Sequence, residues 1–336
     1  MKTKRRHHRH RPRILRNRLV RVLLLTVLLA AGVYFLAALL EPPKKETARM
    51  ELPEEKSIRI GETTILCRDR VSTFLFLGTD RREDEISTGL YTRNDGQADF
   101  ILLLAEDDEN RCVTPVMIDR DTMTEISVTN IMGQPSGTRT AQLCLSYAFG
   151  ADDRESCELT AEAVGRLLGG LSVEHYMQLN MKDIGTLNDA AGGVTVTVKD
   201  DLSALDPLLV PGNTVALKGE QAELFVRARQ GVGAGTNEER MGRQKTYLEA
   251  FLRTVRQGMD TEGEDYLSSF LQTMDEVMVK DISHDTLLDH LWKRREYTWN
   301  TPRTVAGTYV MGENGFMEFH PDEAALTELL EELFAV

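Results

Sequence analysis

The sequence predicts a mixed α/β (α+β) domain, with a central, mostly antiparallel or mixed sheet flanked by helices, carried behind one N-terminal transmembrane helix. Three observations predict it. Residues 22–40 form an uncharged run of apolar or small residues, long enough to cross the ~30 Å hydrocarbon core as a helix. Two short apolar runs, 74–77 and 100–104, have the length and continuity of strands buried on both faces. Segments of helical period interleave with such strands, in a chain whose 41% hydrophobic and 28% charged residues are the composition of a folded protein.

The first element is a basic tail, 1–21, which holds all ten Lys and Arg found before residue 41. A secretory signal peptide is the alternative for the run that follows, but its apolar part is normally ~7–15 residues. This run is longer and leaves through Glu41-Pro42-Pro43. By the positive-inside rule the tail is cytoplasmic, so the chain from Glu41 onward is expected to be extracellular, on a single-pass anchor in the cell membrane. Residues 41–70, charged and interrupted by Pro42, Pro43 and Pro53, read as an extracellular stalk with one early strand near 64–67. The net charge of -13 hides an asymmetry: beyond the tail, 30 Lys and Arg face 53 Asp and Glu. So acidic a body excludes a nucleic-acid partner, because neutralising phosphates needs a basic surface. An anion site here has to be a local cluster of arginines.

The folded domain is expected to start near Val71. Its first strand ends in Gly78-Thr79-Asp80, its second is opened by Asp99, and a polar turn at 106–110 leads to a third, 113–118, ending in Asp119-Arg120-Asp121. If the three pair antiparallel in order, Asp80, Asp99, Arg120 and Asp121 meet at one sheet edge. The alternative is that they are ordinary polar strand ends. Helices are expected at 159–168 and 184–191, and a half-exposed strand at 194–198 after Gly192-Gly193. Residues 71–258 are expected to form the main domain. An extension, 259–336, packs on it as a further helix, a strand pair around 308–319 with its turn at Glu313-Asn314-Gly315, and a closing helix at 322–334.

The densest chemical signal lies between these parts. Arg227 and Arg229 alternate with Ala228, which in an extended segment points both side chains to one face. Gly231, Gly233 and Gly235 make a loop, Asn237 is the expected N-cap, and Arg240, Arg243 and Gln244 share a face of the next helix. Cations at a helix N-terminus oppose the macrodipole, so several together call for an anion, and forked guanidiniums beside free N–H groups suit a phosphate. Salt bridges to Glu238 and Glu239 on a solvated surface are the alternative. Cys67, Cys112, Cys144 and Cys157 have no metal-binding spacing, and an exported domain permits a Cys144–Cys157 disulfide, against the alternative of buried free thiols.

With FLFLGTDRR, QADFILLL, IDRDT, LNDAAGGVTVTV, GEQA and VRAR followed by RMGRQ in this order, the chain resembles the LytR-CpsA-Psr (LCP) family of bacterial envelope proteins from about residue 71 to 258. The resemblance implies an LCP-type domain and a phosphotransferase that moves a glycopolymer from a polyprenyl-pyrophosphate carrier to peptidoglycan, with release of polyprenyl phosphate. It implies magnesium (Mg2+) as cofactor, held by Asp80 and Asp99, and pyrophosphate ligation by Arg120, Arg227, Arg229, Arg240 and Gln244, with Arg82 and Arg243 near the headgroup. The donor, the peptidoglycan acceptor and the lipid bilayer are then the partners. Two departures shift the local charge: Gln97-Ala98-Asp99 stands where the family commonly has Arg-Ser-Asp, and Asp119-Arg120-Asp121 where it has Pro-Arg-Asp. Arg93 is a candidate to restore the lost cation.

The chemistry needs neutralised phosphate oxygens and a base for the attacking sugar hydroxyl. The catalytic set is Asp80, Arg120 and Asp121, with Asp121 the candidate base, or alternatively an ion-pair partner of Arg120. The carrier's lipid needs an apolar groove between sheet and helices, for which Leu103, Phe149, Leu168 and Phe251 are lining candidates. A catalytically idle lipid-pyrophosphate binder and a pyrophosphatase are the other readings of the same residues.

Overall fold

The structure, a computed structural model, describes residues 57–80, 96–130, 132–229 and 235–336. The basic tail, the 22–40 run, most of the expected stalk, Arg82 and Arg93 lie outside the described residues. No helix among the described residues is long and apolar enough to cross a membrane.

In chain order the strands are β1 (Ser57–Ile60), β2 (Thr63–Leu66), β3 (Val71–Thr79), β4 (Ala98–Asp107), β5 (Cys112–Ile118), β6 (Met123–Thr129) and β7 (Pro135–Gln142). A 3-10 helix, Leu143–Phe149, leads to α1 (Asp153–Leu167), β8 (His175–Asn180), α2 (Ile184–Ala190), β9 (Val194–Thr197) and β10 (Thr214–Leu217). Then come α3 (Glu220–Arg227), α4 (Asn237–Glu262), α5 (Glu264–Val277), β11 (Met278–Lys280) and α6 (His284–Lys293). The chain closes with β12 (Thr298–Trp299), β13 (Arg303–Thr304), β14 (Gly307–Met311), β15 (Met317–Pro321) and α7 (Glu323–Phe334).

The central sheet runs β11-β8-β3-β4-β5-β12, with β13 also on β5. The expected antiparallel meander β3-β4-β5 is its middle, while β8 lies parallel to β3, and β12 and β13 parallel to β5. Alternation sorts its side chains. Leu75, Leu77, Ile101 and Leu103 enter one core with α1 and α7, and Phe74, Phe76 and Leu104 face the other, with α2, α5 and α6. Both faces are covered, which is why β3 and β4 read as continuous apolar runs rather than alternating ones.

Three expectations need correction. The compact unit begins before Val71, because β1 and β2 form a hairpin whose Ile58, Ile60 and Ile65 are buried in the first core. The 259–336 segment does not simply pack on the domain, since β11, β12 and β13 are strands of the central sheet. Cys144 and Cys157 are both free thiols: the Cys144 sulfur lies 3.1 Å from Arg120 Nη2, whereas Cys157 packs from α1 into the first core.

Candidate active site

The sheet edge at the end of β3 is built by a bulge. Gly78 pairs with Phe100, but Thr79 pairs with Ala98, so Asp99 has no residue opposite it. Such an extra residue re-aims its side chain out of the regular pleat, and here the side chain it re-aims is a carboxylate. Asp99 meets two guanidiniums, pairing through Oδ1 with Arg120 Nη1 and through Oδ2 with Arg240 Nη1 at 3.4 Å. Asp80, just past β3, accepts the Gln97 N–H on Oδ1 at 3.3 Å. The antiparallel strands thus bring Asp80, Asp99, Arg120 and Asp121 to one edge, as their spacing predicts.

The two departures from the family pattern both have structural work. Gln97 Oε1 accepts from Arg120 Nη2 at 2.5 Å, so a neutral amide braces the guanidinium. Asp119 is buried and accepts the Asp121 N–H at 2.8 Å, both contacts of the Asn237 side-chain amide at 2.9 Å, and the Tyr309 hydroxyl. That carboxylate ties the end of β5 to the start of α4 and to the β14–β15 hairpin.

Sequence reasoning misplaced the arginine segment in part. Residues 220–227 form α3, anchored by buried Ala222, Phe225 and Val226, so Arg227 ends a helix and does not alternate with Arg229 on a strand. Its guanidinium is exposed and paired at 2.5 Å with Glu223, one turn back. Arg229, exposed in the loop, donates from Nε to the Gly235 carbonyl at 3.2 Å. Thr236, not Asn237, is the N-cap of α4: its hydroxyl accepts the Glu239 N–H at 3.2 Å. Asn237 is turned inward to Asp119, and its Oδ1 accepts from Arg240 Nη2 at 2.7 Å.

Arg240, Arg243 and Gln244 are all buried in the first two turns of α4. Arg243 reaches away from the edge, to Asp200 Oδ2 at 2.7 Å and to the Ala228 carbonyl, and so braces the loop that carries Arg229. Arg240 Nε, Arg243 Nε and Gln244 Nε2 are buried without a hydrogen-bond acceptor. Orphaned buried donors are costly, and an anion at this edge would give them acceptors. Burial, joined by the like charges of Arg120 and Arg229, lowers the Arg240 pKa to about 10, so an arriving anion would relieve that cation.

Burial also raises the Asp121 carboxyl above its usual value; Arg120 opposes that rise and the neighbouring Asp119 adds to it. Asp121 Oδ1 accepts from Arg120 Nε and from Gln142 Nε2, each at 3.2 Å. Asp121 thus pairs with Arg120, while burial leaves its carboxyl more basic than that of an exposed Asp.

Gln244 is the polar side chain in the lining of an apolar cavity of about 160 Å³ between the sheet and the helices, floored by Phe76, Gly78, Phe100 and Leu102 and roofed by Tyr247, Leu248 and Phe251. A second cavity of about 160 Å³ shares Phe76, Leu187, Phe251 and Trp299 with it and continues to Met259 and Arg295. Gly78 keeps the floor low, since a Cβ there would sit 3.0 Å from Phe100 Cβ and 3.3 Å from Met181 Cε. Of the expected lining candidates only Phe251 faces this corridor; Leu103, Phe149 and Leu168 belong to the core on the other side of the sheet.

The LytR_cpsA_psr family model matches residues 43–334. The chain belongs to the LytR-CpsA-Psr family. Among curated LytR-CpsA-Psr relatives, the polyisoprenyl-teichoic acid–peptidoglycan teichoic acid transferase TagU of Bacillus mycoides is 22% identical over 285 residues, covering 84% of each chain. That of Halalkalibacterium halodurans is 23% identical over 241 residues, 72% of this chain and 69% of the relative. Among solved structures, B. subtilis TagV superposes with a TM-score of 0.61 at 19% identity, covering 79% of this chain and 96% of TagV. TagT bound to LI-WTA superposes with a TM-score of 0.58 at 21% identity, covering 83% and 95%. At these identities the superpositions establish a shared LCP fold.

Proposed function

We propose that this chain is a membrane-anchored phosphotransferase that moves a glycopolymer from a polyprenyl-pyrophosphate carrier to peptidoglycan and releases polyprenyl phosphate. The observation that carries the reading is the presence of Gln244, whose Nε2 is an orphaned buried donor, in the lining of an apolar cavity, one helical turn from the orphaned Nε of Arg240. An anionic head on a long apolar tail is the ligand that satisfies both. Relatives named as teichoic acid transferases acting on peptidoglycan support the reaction class.

In this reading the tail lies in the corridor, and Arg120, Arg229, Arg240 and Gln244 hold the diphosphate by charge-assisted hydrogen bonds. Arg243 holds the Arg229 loop, Arg227 reaches the headgroup only by leaving Glu223, and Arg82 joins from outside the described residues. A sugar hydroxyl of the acceptor attacks the polymer-linked phosphorus, its proton passes to Asp121, the P–O–P bridge breaks, and polyprenyl phosphate leaves. Asp80 and Asp99 would hold magnesium, which would supply further neutralisation of the phosphate oxygens. Their chemistry suits a hard cation, two carboxylates that would share it with substrate phosphates and water, with Asp99 exchanging part of its pairing with Arg120 and Arg240 for it. Residues 22–40 would anchor the chain with its N-terminus cytoplasmic and this site extracellular.

The test is mass spectrometry of lipid that co-purifies with the full chain. A polyprenyl-pyrophosphate glycolipid, lost in Arg240→Ala, is the expected result. Absence of any prenyl lipid even after incubation with such a donor contradicts the reading.

A further inference from the structure

We propose that the β14–β15 hairpin is the acceptor subsite, a platform that binds the sugar chain whose hydroxyl attacks the donor. The inference rests on the transfer reading above and assigns a part of the site that the donor does not use.

Direction comes first. In phosphoryl transfer the entering and leaving oxygens lie roughly in line across phosphorus. With the tail in the corridor, the leaving lipid phosphate is on the Gln244 side, so the acceptor has to enter from the opposite side. The contacts run in series from the corridor through Gln244 to Arg240 one turn earlier, then through Asp99 and Arg120 to Asp121. Beyond Asp121 stands the hairpin. The Phe319 N–H donates to the Asp121 carbonyl at 2.8 Å, and Gln142 Nε2 bridges Asp121 Oδ1, at 3.2 Å, and the Met317 carbonyl, at 2.6 Å. The Tyr309 hydroxyl fixes the other strand to Asp119. A ligand resting on this hairpin is therefore presented to the candidate base.

Chemistry comes second. Val310, Met311, Phe316 and Met317 are 49%, 62%, 64% and 40% exposed, an unusual density of bare apolar side chains on one short ribbon. The turn is held rather than loose: the Gly312 N–H donates to the Phe316 carbonyl at 2.9 Å and the Phe316 N–H to Asn314 Oδ1 at 3.0 Å. Residues 305–321 contain no Lys or Arg, which disfavours a phosphate there, and beside the apolar groups they carry Glu313, Asn314 and Glu318, the last 3.1 Å from His320 Nε2. A sugar ring offers the complement, with C–H faces for an aromatic's negative face and a rim of hydroxyls for carboxylate and amide groups. A bilayer is the poorer occupant, because two acids on the ribbon would face an anionic lipid surface.

The experiment uses the full chain in nanodiscs, with Phe316→Ala, Met311→Ser and Phe316→Trp. None of these touches the phosphate-binding residues, and the exposure of both positions leaves folding unaffected. Soluble peptidoglycan glycan strands are the probe for direct binding, and acceptor KM and donor-lipid affinity are measured in parallel. Phe316→Ala and Met311→Ser are expected to weaken glycan binding and raise acceptor KM by about tenfold, with donor affinity unchanged, and Phe316→Trp to restore both. Glycan binding equal to the parent's in both variants overturns the proposal, as does a parent that binds no glycan strand. So does quenching of the Phe316→Trp indole by brominated lipid of the nanodisc while glycan binding of the other variants is intact. Loss of glycan binding in the variants of a parent that binds no donor lipid leaves the hairpin assignment standing and removes the transferase reading.

Discussion

Asn237 gives its side-chain amide to both oxygens of the Asp119 carboxylate, at 2.9 Å each, across 118 residues of sequence. The same side chain accepts from Arg240 Nη2 at 2.7 Å, so one amide connects a buried acid to a buried cation at the site. Asn237→Ala should leave Asp119 under-satisfied at a cost of about 1–3 kcal/mol, seen as a Tm lower by roughly 3–10 °C in calorimetry. Asp119→Asn should cost less, because the hydroxyl of Tyr309 can still donate to the amide oxygen. An unchanged Tm in Asn237→Ala would mean that the bond carries no stability.

Two arginines that the sequence assigned to one phosphate site differ in the structure. Arg240 is buried with Asp99 and Asn237, whereas Arg227 is 44% exposed and held by Glu223. Arg240→Ala should weaken binding of a polyprenyl-pyrophosphate by about ten- to a hundredfold, and Arg240→Lys should recover little, since an ammonium lacks the planar fork. Arg227→Ala should cost less than about threefold, the value of one exposed ion pair. Titration calorimetry with the donor lipid separates the two, and an equal loss in both variants would place Arg227 in the site.

What the sequence made legible follows from locality. The meander β3-β4-β5 and the convergence of Asp80, Asp99, Arg120 and Asp121 are consequences of two tight pairings and could be read from strand runs and a turn. The end of α3 could not. A window as short as Leu224 to Arg229 fits strand or helix, and what decides it is the burial of Phe225 and Val226 in a separate apolar cluster with Val194, Val196 and Leu217. Thr236 and Asn237 are equally good caps by residue type, and Asp119, far away in sequence, is what turns Asn237 inward. Of the first hairpin, the strand expected near 64–67 is β2, whereas β1, directly after the proline-broken stretch, was not expected although its Ile58 and Ile60 alternate. The reach of Tyr309 to Asp119 is a tertiary contact that no local pattern encodes.

Burial holds the Asp121 carboxyl above its usual value of 3.8, so protonation disables the base at a higher pH than it would an exposed Asp. The sign follows: kcat/KM should fall on acidification with a midpoint above 3.8, and in Asp121→Asn the residual rate should lose that acid limb. Folding stability carries the opposite sense. A raised folded pKa makes ionisation cost stability as pH rises above 3.8, so Asp121→Asn should be stabilised relative to the parent at neutral pH if Arg120 keeps its other partners. A pH–rate profile identical in parent and variant would exclude Asp121 as base.

The corridor has a test of its own. Leu248 lines it near Gln244, and Leu248→Trp should fill part of a cavity of about 160 Å³. Affinity for a long-chain polyprenyl donor should drop about tenfold or more while a soluble, lipid-free diphosphate sugar binds as before. Equal loss for both ligands would show a collapsed site rather than a blocked tail.

The most direct test of the transferase reading is simultaneous measurement of donor binding and polyprenyl phosphate release by the full chain with magnesium, donor lipid and peptidoglycan. The parent should release one polyprenyl phosphate for each polymer attached to peptidoglycan. Asp80→Ala, which leaves Arg120, Arg240 and Gln244 in place, should bind donor nearly as the parent does and turn over at least about a hundredfold more slowly. A parent that attaches no polymer, or an Asp80→Ala variant that transfers at the parent's rate, would contradict the account.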